Sequence, residues 1–212
     1  MQMKAKQIAL VILSAIAVFL YWQKYQDTYK DEGRLLVSQE GDAVKLVWKT
    51  SIELPMARRF EEAYREWRDK TRKFIIILDS NGGALREGRF VIDVIEKMKQ
   101  THFVETRVEA GADCLSMCVP IYLRGDKRTA ASNSRWMFHE PTSYDFVTGE
   151  KADRDDDDRR EAGERFFQKY FVNSEMNPDW RSKLQEAWVG RDVWFSGQQL
   201  VNQNSNVITH LK

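Results

Sequence analysis

Phe74-Ile75-Ile76-Ile77-Leu78-Asp79-Ser80-Asn81-Gly82-Gly83 passes from five consecutive apolar residues into an acid, a hydroxyl, an amide and a pair of glycines. So short an unbroken apolar run predicts a strand buried on both faces, as in a sheet covered by helices. The glycine pair predicts a sharp turn in which backbone N–H groups converge as the chain opens a helix. The flanking sequence fits. Met56, Phe60, Ala63, Tyr64 and Trp67 recur at helical spacing over 56–70, and Val91, Val94, Ile95 and Met98 do so over 86–100. Short strands are predicted at 35–37 and 44–48 around the Gly41 turn, another at 103–108, and a buried helix over 114–123. Strands alternating with helices make the fold class α/β.

Composition narrows the functions. In 212 residues there is room for one sizeable domain and an appendage. Lys+Arg 33 against Asp+Glu 32 leaves a net charge of +1, so no overall field favours nucleic acid, and no basic-aromatic repeat adds a local reason. No nucleic-acid partner is expected. No internal repeat or low-complexity tract occurs.

The N-terminus sets the expected compartment. Lys4 and Lys6 precede an uncharged stretch at 7–23 that is nearly all apolar from Ile8 to Trp22. Its length meets the lower end of the roughly 17–25 residues that cross a bilayer, with Tyr21 and Trp22 as interfacial aromatics. The run closes on Val18-Phe19-Leu20-Tyr21-Trp22 and not on small residues, which favours an uncleaved signal anchor over a cleaved leader. The expected organisation is a transmembrane anchor at 1–24, a polar tether at 25–34 and one domain at 35–212. The positive-inside bias places the N-terminus in the cytoplasm and the domain in the periplasm or extracellular space.

Cys114 and Cys118, four residues apart, straddle Ser116. With no histidine at ligand spacing they are not a zinc site, and no metal is expected. They read either as a disulfide of an oxidising compartment or as two buried thiols, the bridge being hard to close if both lie on regular helix. Asp155-Asp156-Asp157-Asp158 reads as the solvated start of a helix over 159–171, whose apolar side is Phe166, Phe167, Tyr170 and Phe171. A calcium loop would need alternating oxygen ligands and a turn glycine that are missing here.

Three segments carry chemistry together. The Asp79–Gly83 turn suits an oxyanion or a phosphate, but it has neither a dinucleotide fingerprint nor a following Lys-Ser/Thr, which sets nucleotide binding aside. Ser116 places one hydroxyl in the apolar stretch Cys114-Leu115-Ser116-Met117-Cys118-Val119-Pro120, and His139 closes the short strand Trp136-Met137-Phe138. Alone, the serine reads as a cap or core hydroxyl and the histidine as a structural residue.

In this order the segments resemble the Clp protease proteolytic subunit and its relatives in the Clp/crotonase superfamily, including membrane-bound periplasmic members. Asp79-Ser80-Asn81-Gly82-Gly83 stands where the family has Ser-Pro-Gly-Gly. Ser116-Met117 stands in the nucleophile motif Ala-Ser-Met. Asn133-Ser134-Arg135-Trp136-Met137-Phe138-His139-Glu140-Pro141 is similar to Asn-Ser-Arg-x-Met-x-His-x-Pro, and Arg191-Asp192-Val193-Trp194-Phe195 resembles the segment with the triad aspartate. The resemblance implies a repeated β-β-α spiral core with 141–190 as a divergent helical insertion. It implies a serine endopeptidase with Ser116 as nucleophile, His139 as base, Asp192 as third member, and the N–H groups of Gly83 and Met117 as oxyanion hole. Asp145 and Asp153 are alternatives to Asp192. Asn81 in place of proline and the two flanking cysteines depart from the pattern.

The resemblance further implies no cofactor, a peptide or unfolded-protein substrate and a homo-oligomer. An ATPase partner is not expected outside the cytoplasm. A catalytically silent scaffold is the alternative function; acyl-CoA chemistry of the crotonase branch would need no serine–histidine pair.

Overall fold

The computed structural model describes residues 35–141 and 156–212. The anchor, the tether, Asp145, Asp153 and Asp155 lie outside the described residues. Among those described, no helix is long and apolar enough to cross a membrane.

Most of the predicted strands and helices form with small shifts of boundary. β1 (Leu36–Glu40) and β2 (Ala43–Trp48) make a hairpin about Gly41, α1 is Met56–Trp67, β3 Lys73–Leu78, α2 Leu85–Lys99 and β4 Phe103–Val108. Next come β5 (Asp113–Leu115), α3 (Cys118–Tyr122), β6 (Lys127–Ala130) and β7 (Arg135–Phe138). The second part holds α4 (Asp156–Phe167), a π-helical turn Gln168–Val172, α5 (Pro178–Ala187), β8 (Val193–Ser196), α6 (Gly197–Asn202) and β9 (His210–Leu211). The larger sheet has the order β1-β2-β3-β4-β6-β9 and is parallel except for β1. A smaller sheet, β5-β7-β8, pairs β5 parallel and β8 antiparallel to β7.

Two expectations are corrected. The 114–123 stretch is not one helix: Cys114 and Leu115 belong to β5, and the helix begins at Cys118. The main chain here is held by the sheet, with Cys114 bridged to Ser80 on one side and paired with Trp136 on the other. A short apolar run does not distinguish strand from helix by periodicity. The helix expected to reach Phe171 is α-helical only to Phe167 and then widens into the π turn. Within that turn the Tyr170 carbonyl accepts from Arg124 Nη2 at 3.0 Å, a tertiary partner that periodicity does not reveal.

The amphipathic helices pack as their spacing requires. Met56, Phe60, Ala63 and Tyr64 of α1 are buried against the larger sheet and α2. The N-terminus of α1 has no cap of its own side chain; the buried Glu87 of α2 accepts from the Ala57 N–H at 2.7 Å. In the divergent region Phe166, Phe167, Tyr170, Phe171 and Trp188 form an aromatic cluster, which Trp180 joins through Phe138. It meets the smaller sheet at Phe138, whose ring centroid lies 6.0 Å from Phe171 and 5.8 Å from Trp180. The residue before His139 is thereby locked into the core.

One buried ion-pair cluster makes a pH-dependent contribution to stability. Glu105 of β4 is nearly inaccessible, takes Arg107 Nε at 2.8 Å and Thr129 Oγ1 at 2.9 Å, and lies 2.7 Å from Lys73 Nζ. Burial pushes its carboxyl up, but the hydrogen bonds from Arg107, Lys73 and Thr129 outweigh it and hold the carboxyl at about 2. Relative to the ordinary 4.5 this corresponds to about 3 kcal/mol of stability. A lowered carboxyl contributes in full above pH 4.5, and that contribution disappears as the pH falls toward 2. Urea midpoints measured between pH 7 and pH 2 are expected to show Glu105→Gln well below wild type at neutral pH, the gap closing across that window.

Candidate active site

Parallel strands deliver the site residues to one place. The segment after β2 reaches Ile52, that after β3 reaches the glycine pair, β5 ends at Ser116 and β7 at His139, so all approach from carboxyl ends, where open α/β sheets build their sites. Ile52 N–H donates to the Gly82 carbonyl at 2.7 Å, and Ala84 N–H donates to the Ile52 carbonyl at 2.7 Å. These bonds grip Gly83 from one side and leave its own N–H with no acceptor among the described residues. On the other side of the same turn, Ser80 N–H donates to the Asp113 carbonyl at 2.7 Å and Leu115 N–H to the Ser80 carbonyl at 3.0 Å. The β3 exit is thus stitched to β5.

Ser116 has a φ of 53°, one of the few positive values outside glycine. Left-handed backbone costs an L-residue about 1–2 kcal/mol, so the surroundings must impose it. Its N–H donates to the Met137 carbonyl at 2.9 Å, and its carbonyl accepts from the Val119 N–H at 3.0 Å as α3 begins. Met117, fully buried, lays its side chain over Gly88 of α2: a Cβ on that glycine would come 2.4 Å from Met117 Cγ. This contact anchors the Met117 side chain, and the Met117 N–H has no acceptor among the described residues.

His139 Nε2 lies 2.6 Å from Ser116 Oγ, a short hydrogen bond between residues 23 apart in sequence. Strand register brings Asp192 to the imidazole. Antiparallel β7 and β8 pair Phe138 with Val193, so the next step along both strands sets His139 against Asp192. His139 Nδ1 is 3.7 Å from Asp192 Oδ1, beyond a direct hydrogen bond, and the Asp192 side chain is 54% exposed. Glu140, next to the histidine, accepts from the Gly190 N–H at 2.9 Å and ties the β7 exit to the turn before Asp192.

Cys114 and Cys118 are joined in a disulfide, their Cα atoms 5.2 Å apart. It closes because one partner is on a strand and the other at a helix start. Among the described residues no group of His, Cys, Asp and Glu could hold a metal ion.

The structure brings Ser116, His139 and Asp192 together and sets the Gly82–Gly83 turn against Ser116 and Met117, while Asp145 and Asp153 lie outside the described residues. Sequence reading named Gly82 in the glycine pair but not its close approach to Ser116, where an added Cβ would stand 2.6 Å from Ser116 Cβ, and it missed Ile52, which grips the turn. It also missed the roles of Gly88 and Glu140. A glycine inside a helix pattern, such as Gly88, is the one signal that could have pointed to a close approach.

A hydroxyl on a constrained turn, an imidazole in contact with it and two N–H groups without an acceptor among the described residues are the parts from which an α/β protein can build a serine hydrolase site. The chain matches the Clp protease family over residues 59–201 and belongs to that family. Among solved structures it is similar to a point mutant of ClpP1 from Listeria monocytogenes, with a TM-score of 0.59 and 16% identity, covering 79% of this chain and 90% of that one. At that identity the likeness is one of fold. A comparison with curated protein sequences finds no match.

Proposed function

We propose that this chain is a serine peptidase that cleaves peptides or unfolded segments outside the cytoplasm, held at the membrane by its N-terminal segment. Ser116 Oγ attacks the carbonyl carbon while His139 Nε2 takes its proton and returns it to the leaving amine. Water then enters by the same base and releases the acyl group. The N–H groups of Gly83 and Met117 receive the developing oxyanion, and Asp192 stabilises the imidazolium. The observation that carries this reading is the 2.6 Å contact between His139 Nε2 and Ser116 Oγ.

An oxidising compartment is favoured by the Cys114–Cys118 disulfide, and a membrane anchor by the apolar segment after Lys4 and Lys6. Membership of the Clp protease family favours a homo-oligomer, which would cover some of the exposed Leu54, Phe103, Val189 and Trp194. A second reading, a scaffold with a silent site, draws on the exposure of Asp192 and its 3.7 Å separation from His139.

The test is to treat the folded, full-length protein with a fluorophosphonate and locate the adduct by peptide mass spectrometry. A single adduct on Ser116 is expected. Protein that is folded by circular dichroism and carries no adduct, or carries it elsewhere, overturns the peptidase reading and leaves the scaffold.

A further inference from the structure

We propose that the Cys114–Cys118 disulfide is a positioning clamp for Ser116, so that the oxidised protein is the competent form and reduction switches it down. This rests on the reading of Ser116 as nucleophile. The left-handed conformation at Ser116 is set by rotation about its N–Cα bond. On the N-terminal side of that bond, the Leu115 and Ser116 N–H groups hold the chain to Ser80 and Met137. On the C-terminal side, the Val119 N–H to Ser116 carbonyl bond starts α3, and Met117 packs over Gly88. None of these contacts crosses the N–Cα bond. The disulfide does so covalently, linking the second residue of β5 to the first of α3; the other link across the bond, the hydrogen bond between Ser116 Oγ and His139 Nε2, forms only at the φ that the clamp sets.

Without the clamp, the sheet bonds and the Met117–Gly88 contact still hold the two sides, so the fold survives. Ser116 is then released toward the negative φ that an L-residue prefers. Its Oγ then turns away from His139 Nε2. The reaction is a thiol–disulfide exchange: an added dithiol gives two electrons and two protons to the Cys114–Cys118 bond, leaving two thiols, and itself becomes a disulfide. Both cysteines are fully buried, so small dithiols acting on transiently open protein are the relevant reductants.

The experiment compares the fluorophosphonate labelling rate at Ser116 in oxidised protein, in protein reduced with dithiothreitol, and in the double variant Cys114→Ala/Cys118→Ala. Thiols are counted by alkylation and folding is followed by circular dichroism. Reduction is expected to slow labelling by roughly 10- to 100-fold, the scale on which small misplacements act. Rate returns on reoxidation, and the double variant is equally slow but indifferent to dithiothreitol. With a peptide substrate the loss falls in kcat and spares KM, a split that general loosening would not give.

Equal labelling in all three forms overturns the clamp and leaves Ser116 as nucleophile. A loss that only follows unfolding also overturns it. No adduct in oxidised protein overturns the clamp together with the peptidase reading.

Discussion

Ser116→Ala and His139→Gln are each expected to lower peptide hydrolysis by about 10⁶-fold, because nucleophile and base act as a unit and neither retains value without the other. Glutamine fills much of the imidazole volume and still reaches a hydroxyl, but it cannot accept and return a proton near neutral pH. The two variants separate in labelling. Ser116→Ala takes up no fluorophosphonate, whereas His139→Gln keeps the hydroxyl and labels slowly. Both sites lie at strand ends and are stitched mainly by backbone bonds, so melting temperatures should stay near wild type. The contrast with Asp192→Asn tests the outer end of the relay. An exposed carboxylate 3.7 Å from the imidazole contributes less than a buried one in direct contact, so a loss nearer 10–10²-fold is expected. Hydrolysis assays and labelling rates on the same preparations check all three.

How much of this was legible in the sequence follows from which forces act locally. The amphipathic α1 and α2 are written in residue spacing, because burial on one face imposes a period that survives without tertiary context, and β3 is written in the shortness of its apolar run and the turn residues that close it. The Cys114–Leu123 stretch misled for the opposite reason. Its apolar residues have no informative period, and β5 exists only because Ser80 and Trp136 arrive from elsewhere to pair with it. The short strands β6, β8 and β9 are likewise products of pairing: β9 is two residues long and is held by its register against Thr129 and Ala130. The candidate site residues Ser116, His139, Asp192, Gly83 and Met117 were legible by the order of their motifs, and composition or spacing would not have singled them out. Their second layer was silent. That Ile52 grips the glycine turn, that Met117 rests on Gly88, and that Glu140 reaches Gly190 are relations between distant segments, and a sequence states the members without stating the contact.

Gly82→Ala is expected to cost about 10²–10³-fold in kcat, the effect of losing an oxyanion donor, even though Gly82 touches no reacting atom. Its φ of 91° already disfavours a side chain. The added Cβ would lie 2.6 Å from Ser116 Cβ, 2.7 Å from the Leu115 carbonyl and 3.2 Å from the Met117 nitrogen. None of the three can yield cheaply. The Leu115 carbonyl belongs to β5, and Ser116 is held by its bond to Met137. The turn of Gly82 and Gly83 must move instead, against its two bonds to Ile52, and the Gly83 N–H moves away from Ser116 with it. Gly41→Ala is the control: it also has positive φ, at 61°, but no atom lies within 4 Å of a Cβ there, so it should lower stability by about 1 kcal/mol and leave kcat unchanged. A loss of kcat in Gly82→Ala with little change in KM would show that the pair is glycine because the oxyanion turn and the serine turn press against each other. Equal behaviour of the two alanine variants would mean that the pair serves only to bend the chain.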